Sequence, residues 1–222
     1  MSRHAPYRMK IWDISRALTN ELAPWPGDTP FHFELAARLG ENAAVNVGAI
    51  QMSVHNGSHA DAQFHFDNKG PTIERAVLET YIGEAVVVDL SSEFAGGTAT
   101  SITIEHLKPF ERQLKQTGRL LLKTGVWTDN ATFPKQIPVL AADVPAWLQS
   151  QIVRLIGLDL PSVDPIDSKT LENHHALARC GIVIVESLDL AAVEPGVYNF
   201  AALPLKIAGG DAAPVRAILW RE

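Results

Sequence analysis

The sequence predicts one domain of a β-rich, mixed α/β class, and three observations lead there. Segments with strand periodicity and segments with helix periodicity interleave along the chain. Several strand pairs have no helix between them, which excludes a purely doubly wound sheet. The 222 residues contain no linker, internal repeat or low-complexity stretch, so residues 1–222 read as a single domain with a sizeable core. The composition, 46% apolar and 20% charged, is that of an ordinary soluble globular protein.

The elements follow in order. Met9 to Ser15 alternates apolar and polar residues and reads as a strand. Pro24-Trp25-Pro26-Gly27-Asp28-Thr29-Pro30 is a rigid loop. Trp25, clamped between prolines, either packs over the core edge or walls a site for an aromatic substrate. Val45 to Val54 is a β-branched strand that runs into a histidine-rich stretch. Pro71 to Tyr81 has helical spacing of Ile73, Val77 and Leu78. Ala85 to Leu90 is a strand, Ala95 to Ala99 a loop, and Thr103 to Gln116 a helix with Ile104, Leu107, Phe110 and Leu114 on one stripe. Arg119 to Thr124 is a strand. Asp143 caps a short helix through Gln149. Ile152 to Leu160 is a strand, Lys169 to Arg179 a helix stopping at Gly181, and Ile182 to Val185 a buried strand closing on Glu186. Val197 to Ile207 and Ala213 to Trp220 are the last strands.

The chain is organised around His55-Asn-Gly-Ser-His59-Ala-Asp61-Ala-Gln-Phe-His65-Phe66. Three of the eight histidines and one carboxylate share parity within this stretch, so an extended backbone puts them on one face. A straight strand would still spread His55 and His65 by about 33 Å. A helix would align His55 with His59 but turn Asp61 away. A strand bent at Asn56-Gly57 converges two imidazoles and a carboxylate, with His65 close by. Neutral imidazole and carboxylate suit zinc, manganese or a similar divalent ion. The plainer alternative is ordinary hydrogen-bonded histidines.

A second cluster lies in the other half of the chain. In the helix ending at Arg179, His174 falls on the apolar face and His175 on the polar one, so His174 is the better ligand candidate. Glu186 ends a buried strand and must be paired, hydrogen-bonded or on a metal. His55, His59 and Asp61 nearly fill one tetrahedral ion. His174 and Glu186 then make sense beside a second ion bridged by carboxylates. A salt bridge of Glu186 is the other reading.

The histidine stretch resembles the His-x-Gly-Thr-His-x-Asp-x-Pro-x-His motif of the metal-dependent cyclase-like hydrolases. Trp25-Pro-Gly-Asp-Thr-Pro30, Val45-Asn-Val-Gly48, Asp164-Pro165, Ser168-Lys-Thr-Leu-x-x-His-His175 and Pro214-Val-Arg-Ala217 extend the likeness over residues 11 to about 218, toward the formamidase branch. The resemblance implies a swivelling β/β/α fold, a homodimer, and two zinc ions per subunit, with manganese or cobalt as substitutes. It implies His55, His59 and Asp61 on the first ion, Asp61 and His174 on the second, and Glu186 touching both. His65 would be the general acid/base and Trp25 a substrate contact. Ser58 stands where the family has Thr, and Gln63 where it has Pro.

The activity implied is hydrolysis of N-formyl-L-kynurenine to L-kynurenine and formate in tryptophan breakdown. The rivals are a hydrolase of a cyclic amide such as isatin and a metal-binding module without turnover. A serine hydrolase is disfavoured because no Gly-x-Ser-x-Gly occurs. A net charge of -6 argues against nucleic acid. The N-terminal residues lack an apolar signal core, and no apolar stretch approaches the roughly 18 residues of a membrane span. Cys180 is the single cysteine and reads as a buried structural thiol. A cytoplasmic enzyme fits these features.

Overall fold

The computed structural model describes residues 9–41, 43–97 and 100–221. In chain order the strands are β1 (Lys10–Asp13), β2 (His32–Ala37), β3 (Val47–Gln51), β4 (His59–Asp61), β5 (Ile82–Asp89), β6 (Ser101–Ile102), β7 (Arg119–Lys123), β8 (Val139–Leu140), β9 (Leu155–Leu158), β10 (Val183–Glu186), β11 (Gly196–Ala201), β12 (Ala212–Pro214) and β13 (Ile218–Arg221). The α-helices are α1 (Ser91–Phe94), α2 (Ile104–Leu107), α3 (Glu111–Thr117), α4 (Val144–Ser150) and α5 (Glu172–Arg179). Among the described residues, nine strands form one sheet in the order β1-β13-β11-β5-β7-β9-β10-β4-β12. Its centre, β5-β7-β9-β10, is parallel, and both flanks are antiparallel. This is the mixed α/β class that the interleaved periodicities predict.

The parallel centre is apolar on both faces, as strands covered on two sides must be. Alternate residues divide between two cores. Val86, Val88, Leu120, Leu122, Ile156 and Ile184 join Leu107, Leu114, Leu148 and Leu177 from the helices. Val87, Leu121, Leu155 and Val185 join Ile14, Tyr81, Tyr198 and Phe200 on the opposite face.

Several elements depart from the sequence reading. Pro71 to Tyr81 is not an α-helix but two 3-10 turns, Ile73–Arg75 and Leu78–Tyr81. Ile73 is buried, but Val77 and Leu78 are exposed, so most of the apolar stripe has nothing to pack on, and packing is what sustains a short helix. The Arg119 guanidinium instead binds the carbonyls of Glu79, Thr80 and Ile82. Thr103 to Gln116 breaks into α2, a 3-10 turn at Lys108–Phe110, and α3, because Pro109 has no N–H to donate. Asp143 precedes α4 without a side-chain cap bond. The strand expected over 152–160 pairs only at Leu155–Leu158, and Ile152 is left-handed and exposed. The segment 197–207 is a strand only through Ala201, followed by an isolated bridge of Pro204 to Val215, and 213–220 divides into parts of β12 and β13. Cys180 is half-buried, packed against the helix-side core. Thr98 and Ala99 of the expected loop lie outside the described residues, as do residues 1–8.

β2 has no counterpart in the sequence reading. It pairs with β3 as a two-stranded arm, and every residue of β3 is exposed. The β-branched pattern of residues 45–54 correctly marks a strand, but neither face of it is covered within this chain.

Candidate metal centre

The sheet changes from parallel to antiparallel pairing between β10 and β4, where Glu186 stands opposite His59. Glu186 is the last residue of β10, and ligand sites in α/β sheets favour the carboxyl ends of strands. The parity of β4 turns His59 and Asp61 to one face and Ala60 to the other core. Gly57 adopts φ +66 just before β4, which makes the bend that the sequence predicts and returns His55 to the cluster. α5 brings His174 in from above. Its N-terminal amides at Asn173 and His174 donate to Asp164 Oδ1 and Oδ2 at 2.8 and 3.0 Å.

The structure therefore gathers His55, His59, Asp61, His174 and Glu186. Asp61 Oδ1 lies 3.3 Å from His55 Nδ1 and 3.5 Å from His59 Nε2, and its Oδ2 lies 3.5 Å from His174 Nε2. Glu186 repeats the pattern, with Oε2 3.4 Å from His59 Nε2 and Oε1 3.6 Å from His174 Nε2. Each carboxylate thus offers one oxygen to each of two donor sets. Two donors held about 2.0–2.1 Å from a tetrahedral ion stand about 3.3–3.4 Å apart, so these spacings fit shared cations.

The remaining atoms agree. His59 Nε2 and both oxygens of Asp61 are buried without a hydrogen-bond partner, an arrangement costly unless a cation completes it. All three imidazoles use their other nitrogen as ligating histidines do. His59 Nδ1 donates to Gly57 O at 2.9 Å, His174 Nδ1 to Asp164 Oδ2 at 2.6 Å, and His55 Nε2 to Asp211 Oδ2 at 2.9 Å. The donor set suits a divalent metal cofactor.

Without an ion, protons take its place. Burial would lower the His59 pKa, but Asp61 and Glu186 outweigh it and push it up to about 10. Burial is likewise outweighed at His174, where Asp164 and Asp61 raise the value to about 10. Burial would raise Asp61, but His174, His55 and His59 hold it well below the usual carboxylate range. At pH 7 both imidazoles are then protonated and must lose that proton to ligate. Metal affinity accordingly increases with pH, by up to about tenfold per pH unit for each proton released. Competition against a chelator at pH 6, 7 and 8 reads this slope, and a flat profile contradicts it.

The cluster opens into a cavity of about 360 Å³. His65 stands at its rim, its side chain 30% exposed and its ring 4.2 Å from that of His55. Trp25 lines the cavity, edge-on to Phe133 at 5.3 Å, and Phe133 in turn meets Trp127 at 5.6 Å. Arg16 fixes Trp127 from behind, its guanidinium 3.9 Å from the ring and bonded to the Trp127 carbonyl. Asp28 and Lys169 also line the space. Leu171 and Ser187, two of the cavity's residues, hold positive φ of 47° and 60°, local strain of the kind found around functional sites.

The two family departures have simple accounts. The Ser58 hydroxyl accepts from Arg16 N and donates to the Ser187 carbonyl, which ties the start of β4 to the end of β10. Gln63 points outward to Asp67 Oδ2 at 3.0 Å. Asp211, Trp127 and Phe133 were not singled out as site residues by the sequence reading, and Asp164 entered it only as part of a family-like segment. Asp164 carried a local signal, an Asp-Pro pair ahead of the helix that it caps. The others carried none, because the contacts that tie them to the site, Asp211 to His55, Phe133 to Trp25 and Trp127 to Arg16, each span more than 100 residues of the chain.

Comparisons with known proteins agree with this geometry. The profile of the Cyclase family matches residues 12–165. A kynurenine formamidase of Geobacillus thermodenitrificans is 46% identical over 95% of this chain and 98% of its own length. One of Bacillus cytotoxicus is 43% identical over 93% of this chain and 95% of its own. A solved structure described as a potential metal-dependent hydrolase with cyclase activity aligns at a TM-score of 0.79 and 26% identity, covering 96% of this chain and 99% of that one. Isatin hydrolase A of Ralstonia solanacearum shares the fold at a TM-score of 0.81 but only 20% identity, over 96% of this chain and 92% of its own.

Proposed function

The chain belongs to the Cyclase family, and from that membership we propose that it hydrolyses N-formyl-L-kynurenine to L-kynurenine and formate. One observation carries the reading: Asp61 and Glu186 each present one oxygen to each donor set, buried beneath an aromatic-walled cavity that His55, His59, His174 and Glu186 line. The kynurenine formamidase relatives supply the substrate. His55, His59, Asp61 and Glu186 would hold one metal ion, zinc by the family resemblance, and Asp61, His174 and Glu186 would hold a second. Manganese and cobalt accept the same donors. Metal analysis of purified protein checks the number and identity.

Bound there, such ions would supply Lewis acidity and make water acidic enough to act as a nucleophile near neutral pH. The chain's residues do the rest. Trp25 and the aromatic groups behind it receive the aryl ring and aim the formyl carbon at the cluster. Water attacks that carbon, and His65 takes up its proton. The C–N bond then breaks, and His65 returns the proton to the arylamine nitrogen, which leaves poorly as an anion. Lys169 and Asp28 give the cavity one charge of each sign, suited to an amino-acid tail that isatin lacks. The test is kcat/KM on formylkynurenine beside isatin, with and without chelator. Preference for isatin selects the rival hydrolase. Bound metal with no formate release selects the module without turnover.

The working enzyme is a homodimer. The solvent-bared arm of β2 and β3, with Phe33, Val47 and Ile50 uncovered, supports this, since an isolated two-stranded ribbon is marginal in water. Light scattering should give twice 24.2 kDa, and a monomer mass counts against it. No helix among the described residues is long and apolar enough to cross a membrane. A cytoplasmic location rests on composition and the lone cysteine, and cell fractionation checks it.

A further inference from the structure

We propose that Asp211 is a positioning residue, one carboxylate oxygen of which fixes the tautomers of His55 and His65 together. Asp211 Oδ2 lies 2.9 Å from His55 Nε2 and 3.4 Å from His65 Nδ1. The two rings stack at 4.2 Å with a tilt of 42°. The backbone that carries this carboxylate is tied to the metal strand. Ala62 N donates to the Asp211 carbonyl at 2.9 Å, and the next residue, Ala212, is in register with Asp61. The side chain is 41% exposed, so its packing contributes little to the fold.

His55 turns Nδ1 to Asp61, so Nε2 keeps its hydrogen, and Asp211 accepts it. The same oxygen accepts Nδ1–H of His65, which leaves the lone pair of His65 on Nε2. That is the form able to accept a proton. When His65 becomes an imidazolium, the Asp211 carboxylate faces the new charge at 3.4 Å. This is the division of labour in a Ser-His-Asp triad, where the carboxylate orients the imidazole without being protonated. Asp211 touches neither substrate nor reacting atom.

The inference rests on His65 as the acid/base of the proposed reaction, so two readouts are needed. The first is kinetic, at saturating metal. Asp211→Ala should lower kcat about 10–100-fold, the usual loss when an orienting partner is removed, with KM little changed and part of the rate recovered in Asp211→Glu. In a His65→Ala background the same change should cost much less, leaving only what passes through His55. An equal loss in both backgrounds assigns Asp211 to His55 alone or to the fold, and an unchanged kcat removes its role; either overturns the joint role proposed. The second readout needs no activity. Nitrogen NMR of His65 should show the Nδ1–H tautomer in the intact protein and a mixture in Asp211→Ala. If formylkynurenine is not hydrolysed but the tautomer shifts, the substrate reading fails and the positioning role stands. If the tautomer does not respond, the positioning role fails by itself.

Discussion

Asp61→Asn removes tight metal binding and lowers kcat/KM on formylkynurenine by about 10³-fold or more, since the acidified water and the Lewis acid are lost together. The substitution keeps shape and volume and changes only the charge and one acceptor. Asp61 is 6% exposed, and neither oxygen has a hydrogen-bond partner, so the carboxylate is not present to receive a backbone or side-chain donor. Its neighbours are imidazole nitrogens at 3.3 to 3.5 Å, on both sides. An amide there cannot bridge two cations and turns its NH₂ toward one donor set. Three measurements follow the change: bound metal per chain, kcat/KM, and the rise in Tm on adding metal. An ion at 1,000 times its Kd stabilises the folded state by about 4 kcal/mol, so the wild-type melting point should climb with zinc while that of the variant should not. If Asp61 merely pairs with buried histidines, Asp61→Asn retains turnover and metal, and the dinuclear reading is wrong.

The site was legible in the sequence where geometry is local. Period-two parity put His59 and Asp61 on one face, and a glycine marked the bend that returns His55. Helical phase separated His174, which is buried, from His175, which is not. The final position of a buried strand singled out Glu186. What was not legible depends on distant partners. Asp211 meets His55 only because β12 pairs with β4, and Trp127 is held in the cavity wall by Arg16, from far earlier in the chain. The false helix at residues 71–81 has the same origin. Its apolar spacing is real, but a helix needs a surface to bury that stripe against, and Arg119 had already claimed the carbonyls. In the β2–β3 arm the strand pattern was correct while the implied burial was not, because burial depends on what lies across from a strand.

His65→Ala should separate chemistry from metal binding. Although His65 shares the histidine motif and lies against His55 at 4.2 Å, its Nδ1 faces Asp211 rather than a bridging carboxylate, and its ring centre is 5.9 Å from that of His174. Removing it leaves every contact of Asp61 and Glu186 with His55, His59 and His174 in place. Burial pushes its pKa below the ordinary histidine value, so at pH 7 the ring is neutral and ready to accept a proton. The expected result is metal content equal to wild type and a kcat lower by about 10²–10⁴, the range for a lost general acid/base. The loss should also depend on the leaving group. Arylformamides with electron-poor rings release a more stable anion and need less protonation, so His65→Ala should impair them less than formylkynurenine. A uniform loss across such a series would mean that His65 acts before C–N cleavage only. The third outcome is informative as well. His55, His65 and Asp211 place one donor atom each within 4.8 Å, close enough for a shared ion. If metal content falls together with kcat, His65 is a ligand and the proton must travel by another group.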